Sequence, residues 1–493
     1  MRKHYLIFTL ILFLTFLFRL PSLFEPFWYG DEGIFAAVAR NLNHGGILYQ
    51  TAWDNKPPMI YLTYAAIFKA FGVSMFWLRL VAAIVVLSTA AVIYEITEAV
   101  IGKVRALAAT FIFGFLVSLR IIEGNLALTE IFMILPISVA MLFAVKRKFD
   151  FISLFAAGLL IAISSLYKQV GALEAVALGI FLFLYEPKIF NFVKKGFVLT
   201  LGVAIPYALV FIYFFPKGLL DDYIFAAYTY YRIYLGESPQ RALLINTLKF
   251  APIFAVVGYG LWKKFVSSRL RSNNNQIEIF HLFLLWTAFS FLGSFFSGRT
   301  YGHYLVQAVP ATSLLLASCN FRPKLRSIQI AFALFFFIPI IILTKILFFD
   351  FLSAGPVNQI SYWQNFIAFM SGKKGLDSYN NYFDGNVNSI MALSDFLSIN
   401  SAAGQYVYIW GDYPWLYAIA NVKNPTRYVT SFHVFGVPQG KEEVMTSLAE
   451  NPPAYIIKPP NSIGYFETLE RLINDEYTYL VGVENSKIWA RSR

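Results

Sequence analysis

The stretch 151–185 reads FISLFAAGLLIAISSLYKQVGALEAVALGIFLFLY, two mostly apolar runs divided by Lys168-Gln169. Each run is about 17 residues long, close to what a helix needs to cross the hydrocarbon core of a bilayer. The pattern repeats outward in both directions. Before it lie runs at 5–20, 76–98, 104–119 and 128–145, and after it runs at 197–215, 247–262, 279–296, 304–319 and 328–350. Counted together they predict about eleven spans. Only 14% of the 493 residues are charged while 58% are hydrophobic, and the mean hydropathy is +0.59. The expected class is therefore a polytopic α-helical membrane protein.

The single cysteine, Cys319, lies in an apolar run, which removes a disulfide framework and a cysteine-based metal site. A net charge of +12 does not imply nucleic acid, because the cations gather beside apolar runs as topology signals do. Arg2 and Lys3, Lys103 and Arg105, 146–148, Lys188 with Lys194 and Lys195, 263–271 and 322–326 alternate with loops holding one cation each, at Arg120, Lys168 and Arg299. That asymmetry predicts a cytoplasmic N-terminus and an extracytoplasmic C-terminus in the cell membrane. The first run starts like a signal peptide but ends in Phe18-Arg19-Leu20-Pro21 without a small-residue cleavage site, so an uncleaved anchor is expected.

Three segments on the outer face are too long to be turns: 21–75, 216–246 and everything after about 351. In the first, Ile34, Phe35, Val38, Ala39 and Leu42 recur at helical spacing up to Gly45-Gly46, and Met59 to Phe71 forms a second such stretch, so two short interfacial helices are expected. In the second, Tyr223, Tyr228, Tyr230, Tyr231 and Tyr234 surround Arg232, which suits either an interfacial helix near lipid phosphates or a plain aromatic belt. The tail alternates β-rich stretches (405–410, 427–434, 454–457, 477–483) with helical ones (442–450, 465–475), predicting a small extracytoplasmic α/β domain over 385–493, a linker over 351–384 and a transmembrane domain over 1–350. No glycine-rich phosphate loop opens any of the tail's helices.

Charge is scarce enough that each outer-face group needs a cause. Asp31 and Glu32 begin the first interfacial helix, where either can serve the helix end or, partly shielded from water, take a proton from an attacking hydroxyl. Glu130, after Asn125-Leu126-Ala127-Leu128-Thr129, stands at the outer end of the fourth span, with Glu123 as a nearby competitor. Lys56 precedes Pro57-Pro58, which stiffen the backbone that carries it. Lys168, Arg299 and the His303-Tyr304 pair occupy the same face, where a lipid phosphate would sit. Preorganised cations of this kind stabilise a departing phosphate.

Gly30-Asp31-Glu32 with the following Ala-rich helix to Arg40-Asn41-Leu42, then Lys56-Pro57-Pro58, resembles the first loop of the GT-C membrane glycosyltransferases. The similarity is greatest to glycosyltransferase family 39, the protein O-mannosyltransferase and aminoarabinose transferase type. It continues through 126–130, Leu166-Tyr167-Lys168, His303-Tyr304-Leu305 and Pro310. The resemblance implies a GT-C-like fold and inverting transfer of one sugar from a polyprenyl-phosphate donor to an extracytoplasmic acceptor, which could be protein, lipid or glycan. It assigns catalytic roles to Asp31, Glu130 and Glu32, and donor-phosphate binding to Lys56, Lys168, Arg299, His303 and Arg232. It also implies a divalent metal on Asp31 and Asp54, although members with such a site carry an acid directly before Lys-Pro-Pro, where this chain has Asn55. The rival readings are a lipid-linked transporter or flippase, which would favour mid-span charges and internal repeats, and a non-catalytic glycan-assembly subunit. Membrane lipids are partners under all three.

Overall fold

A computed structural model describes residues 2–186, 188–234, 275–297, 299, 301–318, 358–460 and 464–492. The spans expected at 247–262 and 328–350, Cys319 and the first part of the linker lie outside the described residues. The chain divides into two compact units.

The first unit comprises Met1–Leu20, Leu80–Ile212 and Glu237–Tyr362, and the elements among its described residues are helical. The stretch 151–185 folds as read, into the helix Phe151–Ser165, a 3-10 turn Gln169–Ala172 and the helix Leu173–Tyr185. Asp150 caps the first of these by accepting the Ser153 N–H at 2.7 Å, which is why it starts there. Ala157, Ile161, Leu178, Phe181 and Leu285 share one buried cluster with Ala140 and Leu199, knitting five helices together. Where the Phe151–Ser165 and Ile189–Phe214 helices cross, a Cβ on Gly158 would stand 2.2 Å from the Leu199 carbonyl and one on Gly202 2.2 Å from that of Phe155. Only glycine permits that approach, a packing mode common between membrane helices.

Among the described residues, four helices are long and apolar enough to cross a membrane: Lys3–Phe24, Met75–Ile101, Thr129–Lys146 and Ile189–Lys217. Other described apolar runs form helices such as Lys103–Val117, Phe151–Ser165 and Asn275–Phe295. The run at 304–319 differs most from expectation. Its first half is a 3-10 helix, Gly302–Ala308, and only Val309–Ser318 is α-helical, with Pro310 in the first turn, where a missing N–H costs nothing.

The second unit comprises Pro21–Arg79, Tyr213–Gly236 and Trp363–Arg493. Helices form where two were expected, at Gly30–Asn43 and Met59–Phe71. The tail contains strands β1 (Val407–Ile409), β2 (Tyr455–Lys458), β3 (Tyr477–Val483) and β4 (Ser486–Arg491) in the order β1-β2-β4-β3. β1 and β2 are parallel, joined through helices, and the β3–β4 hairpin adds antiparallel to β2.

The α/β region is not free-standing: it belongs to one unit with the first long loop. Within that unit Trp415 on the helix Trp415–Ile419 donates to the Tyr29 carbonyl at 2.9 Å, and a Cβ on Gly33 would meet the Trp415 ring at 2.8 Å. The expected strand at 427–434 does not form. Tyr428 makes a lone bridge to Trp53, then Thr430 caps a helix, Ser431–Gly436, by accepting the His433 N–H, so a local side-chain bond overrides β propensity. The segment read as a linker carries helices Gln359–Met370 and Leu376–Asn381. The tyrosines of the second loop are no simple belt: Tyr223 and Tyr230 are buried, the latter edge-on to Trp53 at 4.9 Å, on either side of a π-helical turn, Phe225–Thr229.

Candidate active site

Three expected site residues of the first unit converge. Glu130 lies in the first turn of Thr129–Lys146 without capping it. One of its carboxylate oxygens accepts the Thr129 hydroxyl at 2.8 Å and the other accepts the Lys168 ammonium. Lys168 sits extended just before the Gln169–Ala172 turn, its Nζ 3.5 Å from the centroid of the Tyr304 ring. The pair is almost wholly buried, with 10% of the Lys168 side chain and 1% of that of Glu130 exposed. Two opposite charges about 4 Å apart at an effective dielectric near 20 attract by roughly 4 kcal/mol, offset by the cost of removing both from water.

His303, edge-on to Tyr304 at 4.7 Å, belongs to the same cluster and is held by Glu123. The Glu123 carboxylate accepts the His303 backbone N–H at 3.1 Å and bonds its ring Nδ1. Burial pulls the Glu123 carboxyl upward, but these bonds and the imidazole's charge hold it below its ordinary value. Glu123 has φ +52°, and the turn is tight because a Cβ on Gly302 would stand 2.4 Å from the Ile121 carbonyl. Glu123, the competitor to Glu130 in the sequence, is thus hydrogen-bonded to His303. Arg299 is half-buried nearby in sequence, its N–H directed at the Ser297 hydroxyl.

Glu174 gave no motif in the sequence. Buried in Leu173–Tyr185, it accepts the Ser290 hydroxyl at 2.8 Å and the Gln307 amide at 3.2 Å, tying the helix after Lys168 to the turn that carries His303 and Tyr304. A lone acid inside an apolar run was the available signal.

In the second unit the adjacent acids Asp31 and Glu32 part company. The N-cap of their helix is Tyr29, and neither acid caps it. Glu32 is fully buried and accepts Arg79 Nη2 at 2.6 Å; the same nitrogen reaches Glu25 at 3.2 Å, and Trp28 donates to Glu25 at 2.8 Å. Glu32, expected as a catalytic acid, is held in a buried ion pair. Asp31 is half-buried and makes no hydrogen bond or ion pair among the described residues.

The Lys56 ammonium donates to the Asn55 side chain at 2.7 Å and lies 5.9 Å from the Phe35 ring. Its backbone is clamped from both sides, the Tyr49 hydroxyl donating to its carbonyl at 2.7 Å and its N–H reaching the Tyr61 hydroxyl at 3.2 Å. Asp54 is buried, one oxygen accepting the Tyr61 hydroxyl at 2.7 Å and the other 3.4 Å from His433 Nε2. Burial pulls the Asp54 carboxyl up, and Lys56, His433 and Tyr61 together hold it below its ordinary value. Burial pushes the His433 imidazole down to about 4, with Lys56 acting the same way against Asp54. His433 comes from the far end of the chain and left no local sign of this role. Arg232 is exposed in the short helix Tyr231–Tyr234.

These residues do not fit a metal on Asp31 and Asp54. Both Asp54 oxygens are engaged, and no three His, Cys, Asp or Glu side chains converge among the described residues. No step below passes through a metal.

Residues 55–214 match the family profile described as dolichyl-phosphate-mannose-protein mannosyltransferase. Among solved structures, ArnT from Cupriavidus metallidurans bound to undecaprenyl phosphate aligns with TM-score 0.56 at 15% identity, covering 99% of this chain and 97% of that one. The fold of the chain is thus similar to that of ArnT, and residues 55–214 resemble the mannosyltransferase family. The apo form of the same ArnT aligns with TM-score 0.55 at 14% identity, covering 99% of this chain and 97% of that one. The archaeal oligosaccharyltransferase AglB from Archaeoglobus fulgidus, in complex with an inhibitory peptide and a dolichol-phosphate, aligns with TM-score 0.47 at 13% identity over 100% of this chain and 74% of its own. No curated protein sequence matches significantly. The profile match covers Lys56, Glu130 and Lys168, and the fold likeness runs nearly end to end.

Proposed function

We propose that this GT-C chain is an inverting glycosyltransferase of the cell membrane that moves one sugar from a polyprenyl-phosphate donor to an acceptor on the extracytoplasmic face. The observation that carries the reading is the end-to-end likeness to a protein solved with undecaprenyl phosphate, joined to the family match over 55–214. In this reading Asp31 is the base. A base must have an available lone pair, and Asp31 is the first-turn acid without a hydrogen-bond or ion-pair partner among the described residues. It accepts the acceptor hydroxyl's proton as the oxygen attacks the anomeric carbon, and the sugar–phosphate bond breaks on the opposite side.

In this reading Lys56 and Arg232 of the second unit meet the charge that grows on the leaving phosphate, and Lys168, Arg299 and His303 of the first unit are, taken by themselves, a cationic cluster suited to a phosphate. Glu130 orients Lys168 through their ion pair, and a phosphate displaces that carboxylate only in part, because Thr129 keeps its second oxygen occupied. Glu32 holds the first turn through Arg79, so that Asp31 does not rotate away.

The test is transfer of radiolabelled sugar from a panel of polyprenyl-phosphate donors by membranes containing the wild type or Asp31→Asn at matched expression. A positioned general base contributes about 10²–10⁴ in rate, so transfer should fall by that factor. Equal transfer by both proteins removes Asp31 from the mechanism. Absence of transfer from any donor removes the transferase reading.

A further inference from the structure

A cavity of about 1030 Å³ lies wholly within the second unit, lined by the second half of Gly30–Asn43, the loop to Ala52, and segments of the α/β region around 421–429 and 439–451. Its volume is at the upper end of small-ligand pockets, with room for an extended ligand rather than a single sugar. Its walls are cross-tied. Arg427 donates through two nitrogens to Glu443 at 2.9 Å each, reaches Asp222 at 3.2 Å and the Tyr49 carbonyl at 3.1 Å, while Tyr428 donates to Glu443 at 2.7 Å. At the other end Arg40 holds the Asn421 side chain at 2.6 Å, and Thr51 donates to Asn41 at 2.6 Å. A floor whose polar groups are already bound to one another is preorganised.

The lining also specifies a chemical class. Three cations, Arg40, Lys423 and Arg427, face four carboxylates, Asp222, Glu442, Glu443 and Glu450, so the cavity does not select a polyanion. Apolar side chains, Ala37, Ala52, Leu219, Val422, Pro425 and Val429, are interspersed with the polar ones along the lining. Hydroxyls, amides and carboxylates beside tyrosine rings suit a neutral, hydroxyl-rich ligand. The cavity is also joined to the candidate active-site residues through the chain itself. Arg40 follows Asp31 by nine residues on one helix, about 14 Å at 1.5 Å per residue, and the loop from Thr51 leads directly into Asp54 and Lys56.

We infer that this cavity binds a neutral saccharide several residues long, the carbohydrate part of the acceptor. The inference rests on the transferase reading for its acceptor role, and saccharide binding tests it separately. The purified full chain in detergent is titrated with neutral oligosaccharides, with unstructured peptides and with anionic oligosaccharides. Donor hydrolysis to water and acceptor transfer are then compared in wild type, Glu442→Trp and Thr446→Trp. Both positions are exposed on the helix Gly440–Glu450 and line the cavity, so indole there fills it without disturbing the core. The expected result is saccharide binding by wild type that weakens about tenfold or more in both variants, with acceptor KM raised alike and donor hydrolysis and Tm unchanged. Binding of peptides or of anionic saccharides in place of neutral ones overturns the inference, as does neutral-saccharide binding indifferent to both tryptophans. Saccharide binding that behaves as expected in a protein without donor turnover keeps the cavity's ligand while removing the transferase reading.

Discussion

The first turn of the Thr129–Lys146 helix and the first turn of Gly30–Asn43 pose the same problem and solve it differently. Each presents acids where a helix begins, and in neither does an acid cap the helix. Glu130 is buried and matched to Lys168, while Glu32 is buried and matched to Arg79; Asp31, in the same turn as Glu32, is half-buried and unmatched among the described residues. Burial decides the difference. An acid removed from water needs a cation or hydrogen-bond donors within bonding distance, whereas one still partly hydrated does not. The acid that the fold has not already satisfied is the one with a lone pair left for chemistry. The two cations differ as well: a guanidinium stays charged and holds its geometry, while an ammonium is a mobile point charge that can be shared with a phosphate.

That contrast breaks most readily at Arg79. Arg79→Met leaves two buried carboxylates without their cation and should cost about 3–5 kcal/mol, read by thermal unfolding in detergent. Adding Glu32→Gln should return part of the loss, and a fully stable single variant would mean that the pair does not hold this turn. The next effect is on pH. The His433 imidazole is depressed from 6.5 to about 4 by burial, so the folded protein binds fewer protons than the unfolded chain between those values. Stability should therefore rise with pH across that window and be lost as pH falls toward 4, by on the order of 3 kcal/mol in all. The depressed Asp54 carboxyl acts with the same sign. His433→Phe should flatten the slope; an unchanged slope would place the proton uptake elsewhere.

A double-mutant cycle sharpens the other side of the comparison. Lys168→Met and Glu130→Gln should show a coupling of about 1–3 kcal/mol in stability, and additive effects would mean that the ion pair contributes nothing net. The smallest change is expected at Asp31. Asp31→Asn should stay within about 0.5 kcal/mol of wild type in stability while transfer falls, because no partner is lost. A large destabilisation there would return Asp31 to a structural role alongside Glu32.

How far the chain could be read follows the range of the forces involved. Apolar runs and cationic loops are local signals, and the helices at Met75–Ile101, Thr129–Lys146 and Phe151–Ser165 stand within a few residues of where hydropathy placed them. The helix Met59–Phe71 matches its expected ends, since apolar spacing after Pro57-Pro58 and a glycine at the far end mark both. The strand expected at 427–434 failed because a threonine cap, itself a local signal, was outweighed by β-branched and aromatic residues in the reading. β4 was missed because a hairpin edge gains its stability from β2 and β3, not from its own composition.

The candidate site divides along the same line. Asp31, Lys56, Glu130, Lys168 and His303 were legible because charge is rare in this sequence and each stands beside an apolar run. What they do was not. That Glu32 belongs to Arg79, Glu123 to His303, and His433 to Asp54 depends on residues 47, 180 and 379 positions apart, the last by subtraction of 54 from 433. Sequence alone determined which side chains must be held out of bulk water near a membrane, because hydropathy is a property of each residue. Only the tertiary structure decided which buried charge answers which, because an ion pair is a property of distance, and distance between remote residues exists only once the chain has folded.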